Sequence, residues 1–122
     1  MNEIKILSEL ESSLNEQKEL LIHFKNQIIK DFDSFQLPLV FSGEINLVLK
    51  ELKTQVNSHI NELLKNDPDR LLALLYKIDV SENLLSKTLK QYPNESYPEI
   101  VSLLIFNREL EKVILRNQFR SS

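Results

Sequence analysis

Only five residues punctuate this chain: Gly43 and the prolines Pro38, Pro68, Pro93 and Pro98. Gly supplies the left-handed conformations of tight turns, and Pro stops helices. A chain of 122 residues with so few of either must run in long unbroken segments. Leu, Lys and Glu, three good helix formers, are abundant within them. One all-α domain is the reading, large enough to bury roughly two thirds of its unfolded surface.

Glu3 to Phe35 contains neither Pro nor Gly, and this predicts a first helix over 3–35. Its seam is Leu7, Leu10, Leu14, Leu21, Phe24 and Ile28, with polar Gln17 filling the missing step. Alternating steps of three and four mark a bundle helix, and Leu20, Ile22, Ile29 and Phe32 widen the stripe. At about 1.5 Å per residue the helix would be roughly 48 Å long.

Ser42 then offers an N-cap for a second helix over 43–65, with its stripe at Ile45, Leu49, Leu52, Val56, Ile60 and Leu63. Asp67 and Pro68 make a corner and open a helix over 68–78, because Asp caps well and Pro suits the first helical position. Leu71, Leu72, Leu74, Leu75, Tyr76 and Ile78 make that helix apolar nearly all round, which predicts burial by its neighbours. Asp79 and Ser81 form a second corner, and Asp79 with Glu82 resembles a capping box for a helix over 81–91. If Asp79 instead points inward, it needs a partner such as Arg70, Arg108 or Arg116. Pro93 stops that helix, and Pro98 opens a last one over 98–119.

These lengths fit an antiparallel four-helix-bundle-like domain with a long first helix and a broken third helix. The first helix outruns its partners, so Leu7, Leu10 and Leu14 are expected to be covered by a second copy of the chain or by another protein. Tyr92 and Tyr97 flank proline turns and are expected to plug the bundle's end.

The sequence excludes more chemistry than it proposes. Without cysteine there are no disulfides, thiolate metal sites or thiol catalysis. A net charge of −3 argues against nucleic acid, and Arg108, Arg116 and Arg120 sit among Glu109 and Glu111 as a mixed, solvated face. Neither a signal peptide nor a membrane-spanning run is present, which points to the cytoplasm. No P-loop, dinucleotide fingerprint, calcium loop or nucleophile elbow occurs, so no catalytic residue and no cofactor is expected. Glu16, Glu19 and His23 share a helix face that should meet solvent. His59 and Glu62 are the remaining metal candidates, but bundle metal sites use paired Glu-x-x-His motifs and this order is reversed and single. A structural histidine is the plainer reading. Leu71-Leu72-Ala73-Leu74-Leu75 matches a short groove-docking pattern that any leucine-rich helix meets by chance.

LLALLYKIDVSE, followed by RELEKVILR near the C-terminus, resembles small helical proteins of uncharacterised function in Bacteroidota-type bacteria. The resemblance covers roughly the second half of the chain and implies a bacterial, cytoplasmic origin and no activity. The sequence as a whole predicts a non-enzymatic scaffold or protein-interaction module that self-associates. The alternative is a helical bundle that holds a small ligand or metal between its helices.

Overall fold

The computed structural model describes residues 7–121, with side chains over 8–116. Six α-helices and no strand occur among these residues: α1 Leu7–Asn15, α2 Lys18–Asp33, α3 Val48–Asn66, α4 Pro68–Ile78, α5 Glu82–Gln91 and α6 Tyr97–Ser121. Helix α6 is the common neighbour, touching α2, α3, α4 and α5. The core gathers Phe24, Ile28 and Phe32 of α2, Leu52, Val56 and Ile60 of α3, Leu74 and Ile78 of α4, and Ile105 of α6.

The single long first helix expected over 3–35 is broken, and its residues 3–6 lie outside the described ones. The chain leaves helical geometry at Gln17, whose N–H donates to the Leu14 carbonyl at 3.2 Å. The physical reason is in the seam itself. A continuous helix would carry the Gln17 amide along the apolar stripe, whereas the break exposes it. Helix α1 then returns Leu10 and Leu14 to the chain's own core, 2% and 0% exposed, where they share a small void with Phe24, Leu49, Leu52 and Phe106.

The second helix starts later than expected, behind a 3-10 turn at Ile45–Leu47. Ser42 caps no α-helix: its hydroxyl accepts from the Glu44 N–H, and its own N–H donates to Glu51 at 3.0 Å. Gly43 sits at φ +95 in open space, so glycine is required there by conformation and not by crowding. The preceding link is pinned along α3. Gln55 brackets Val40 with two hydrogen bonds of 2.7 and 2.8 Å, and His59 Nε2 lies 2.7 Å from the Pro38 carbonyl.

The two corners form where expected, with one exchange of roles. Asp67 accepts from the Arg70 N–H and Pro68 opens α4. At the second corner Ser81 is the cap of α5, accepting from the Leu84 N–H at 3.2 Å. Asp79 instead ends α4 in the left-handed conformation, φ 74, which Asp tolerates better than most residues. Its N–H and that of Val80 both bond back to the Leu75 carbonyl at 2.9 Å. Helix α4 is not buried all round. It packs on α2, α3 and α6 through Leu71, Leu74, Leu75 and Ile78, and leaves Leu72 and Tyr76 54% and 87% exposed. One face of an 11-residue helix meets those three neighbours, and the other meets water.

Candidate functional site

The Tyr92 to Tyr97 turn brings the start of α6 alongside α3. Ser96 caps this helix, accepting from the Glu99 N–H at 3.3 Å. Where α6 faces α3, a cleft of about 440 Å³ opens. Its floor is apolar: Ile100 and Phe106 are buried, and Leu103 is half-buried beside them. Ser102, itself buried, donates from Oγ to Asn57 Oδ1 at 2.8 Å and ties the two helices together at the cleft. Lys53, Tyr92, Glu95 and Glu99 complete the lining, and the three charged residues are exposed. Hydrogen bonding to Glu99 and the charge of that carboxylate push the Glu95 carboxyl above its ordinary value, so the two acids lie close together.

A second, shallower depression runs along the outer face of α3 and shares Lys53 and Asn57 with the cleft. Lys50, Thr54, Ser58, Asn61 and Lys65 recur at steps of three and four, which places them in one stripe. Glu62 borders it as well, accepting from the Asn66 amide at 2.6 Å.

The other polar centre is closed. Glu109 of α6 is 0% exposed and faces Asp31 of α2, which is buried as well. The Lys112 ammonium bridges them, 3.0 Å from Asp31 and 2.9 Å from Glu109 Oε1. Gln27 donates to Asp31 at 3.1 Å and accepts from Arg116. Burial, reinforced by the neighbouring Asp31, pushes the Glu109 carboxyl up to about 8 against the pull of Lys112. Burial would raise Asp31 too, but hydrogen bonds from Glu109, Lys112 and Gln27 outweigh it and hold that carboxyl below its ordinary value. Burial would lower Lys112, yet its bonds to Glu109 and Asp31 raise it. As a carboxylate, Glu109 meets only the Lys112 ammonium among the described residues, at Oε1; protonated, it can donate to Asp31. Split carboxyls are the pattern of acid–base sites. Here the acid is sealed away and neither member lines the cleft, so the group serves to join α2 to α6.

The residues singled out from sequence mostly have structural posts. His59 holds the link at Pro38 and its ring lies 6.1 Å from that of Phe32, while Glu62 turns to Asn66, so the two do not converge. No group of three or more metal-ligating side chains forms among the described residues. His23 and Glu19 are 3.9 Å apart on the surface. Leu10 and Leu14 belong to the core, not to a free stripe, and the Leu7 side chain lies outside the described ones. Asp79 is outward and pairs with Arg108 at 3.0 Å. The face expected to be a mixed, solvated one is in fact split. Arg116 is exposed, Arg108 is half-buried between Asp79 and Glu111, Glu109 is interior, and Arg120 lies outside the described side chains.

Two features escaped the sequence. Glu109 lies one turn from Ile105, Phe106 and Val113, inside the apolar stripe, and that position was its signal. The cleft had none, since Asn57 and Ser102 meet only through the fold. No helix among the described residues is long and apolar enough to cross a membrane. Comparison with protein-family models, with curated proteins and with solved structures finds no match, so the chemistry of these residues is what points to a function.

Proposed function

We propose that the chain is a non-enzymatic binding protein that holds a small ligand with an apolar body between α3 and α6. One observation carries this reading: the cleft of about 440 Å³ with its floor at Ile100, Leu103 and Phe106, lined among the described residues by the polar groups of Lys53, Asn57, Tyr92, Glu95, Glu99 and Ser102. Small-molecule sites are concave, mostly apolar and about 300–1,000 Å³ in volume, with a few placed polar groups. In the architecture we propose, α4 and α5 act as one broken helix beside α2, α3 and α6 in a four-helix-bundle-like domain. We place the protein in the cytoplasm. Titration of the labelled chain with a series of neutral alkanols tests the binding reading. Saturable amide shifts at Ile100, Leu103 and Phe106 are expected, and the absence of saturation at any lining residue would defeat it.

A second reading keeps the self-association expected from sequence but moves it to another surface. Leu72 and Tyr76 lie one turn apart on the outer face of α4 and are the observation that favours it. A second copy of the chain meeting that face would bury both. Light scattering over a wide concentration range should then report a dimer that Tyr76→Glu returns to monomer. A monomer at every concentration removes this reading and leaves the first untouched.

A further inference from the structure

The cleft and the polar stripe on α3 share Lys53 and Asn57, and their chemistries are complementary halves. The first offers an apolar floor at Ile100, Leu103 and Phe106. The second offers Lys50, Lys53 and Lys65, all exposed and without an ion-pair partner among the described residues. The hydroxyls of Thr54 and Ser58 stand between the lysines. The acids are distributed unevenly. Glu95 and Glu99 border only the cleft, and Glu62, the one acid on the stripe, already accepts from Asn66.

From this distribution we infer that cleft and stripe form one site for a single-chain amphiphile with an anionic head. The inference rests on the binding reading of the cleft and adds the ligand's class and direction. The apolar chain lies over Phe106 and Leu103, on the apolar floor of the cleft. The head passes Lys53 and Asn57 onto the stripe, because both depressions share those two residues and the stripe lacks Glu95 and Glu99. A free amphiphile is specified rather than an anionic bilayer, since those two exposed carboxylates border the cleft and would repel such a surface.

The test uses the full chain and three probes below their aggregation limits: decanoate, decanol and decyltrimethylammonium. Affinity is read by calorimetry, and position by amide shifts. Decanoate should bind one-to-one, shifting Lys53, Asn57 and Ser58 together with Leu103 and Phe106. It should bind roughly fivefold tighter than decanol, as expected for an exposed charge contact of about 1 kcal/mol. Added salt should erase that margin. The exposed double variant Lys50→Gln/Lys65→Gln, confined to the stripe and checked by circular dichroism, should bring decanoate down towards the affinity of decanol and leave decanol unchanged. If decanol or the cation binds as tightly as decanoate in the cleft, the anionic head is overturned and the binding reading survives. If all three probes leave the cleft unshifted, or shift only Leu72 and Tyr76, both are overturned.

Discussion

Glu109 occupies a position where an apolar side chain would meet Ile105, Phe106 and Val113, and it holds that position by keeping its proton. This has a direction in pH. In the unfolded chain the group ionises near the ordinary Glu value of 4.5, while in the fold it retains its proton to about 8. Its contribution to stability is therefore complete below 4.5 and falls as pH rises from 4.5 to about 8. Asp31 has the opposite sign. Its carboxyl is held below the ordinary 3.8, so its contribution is present above 3.8 and lost on acidification below it. Lys112 is raised above 10.5, so what it adds is present at neutral pH and lost only when pH rises beyond 10.5. Between 4.5 and about 8 the change contributed by this cluster is therefore set by Glu109. Chemical unfolding from pH 4 to pH 9 should show a steady decline on the alkaline side. Glu109→Gln keeps the shape and removes the titration, so it should flatten that decline and be more stable than the native chain at pH 9 by about 2 kcal/mol. A decline of equal slope in the variant would assign it to another group.

At the level of elements, the two corners of α4 and the break before α2 differ in how they are made. Ser81 caps α5 with its own hydroxyl, so Ser81→Ala should lower stability by about 1 kcal/mol. Asp79→Gly should stay close to neutral, because the left-handed backbone eases as an exposed pair to Arg108 is lost. Equal losses in the two variants would return the capping role to Asp79. The break at Gln17 has a sharper consequence. Leu14 is enclosed within the chain, so Leu14→Ala should destabilise the fold by about 3 kcal/mol without altering the mass of the chain in solution. A fall in mass with stability preserved would restore the intermolecular seam.

Those elements also show what could be read from the chain. Asp67 and Ser81 act through groups three residues away, and local chemistry of that range is written in the sequence. The break at Gln17 was visible as the one polar step in an apolar seam, but its outcome depended on where α1 could find cover. Glu109 was misplaced because a charged side chain is by default exposed, and only Asp31 and Lys112 make its burial tolerable. The cleft depends on residues 45 apart in sequence and had no local trace. The burial expected for α4 on all sides failed for a related reason: composition counts apolar residues but not the neighbours available to cover them.

On the scale of the whole molecule, the polar ties between elements converge on α6. Lys112 and Glu109 join it to α2, Ser102 joins it to Asn57 of α3, and Arg108 joins it to Asp79 at the end of α4. If α6 organises the fold, weakening any one tie should lower a single common transition rather than free one helix. The burial of each tie sets the order. Lys112→Met leaves Asp31 charged and buried without its ion partner, a loss of about 3 kcal/mol. Ser102→Ala removes one hydrogen bond between partly buried groups, about 1 kcal/mol. Asp79→Asn gives up an exposed pair and keeps a residue that tolerates the left-handed corner, at most about 0.5 kcal/mol. Urea unfolding followed by circular dichroism and by amide signals from α1, α3 and α5 should give one midpoint per variant, ranked in that order. Signals from α5 that persist after those of α3 have gone, in Ser102→Ala, would mean that α6 does not couple them and that the fold opens in parts.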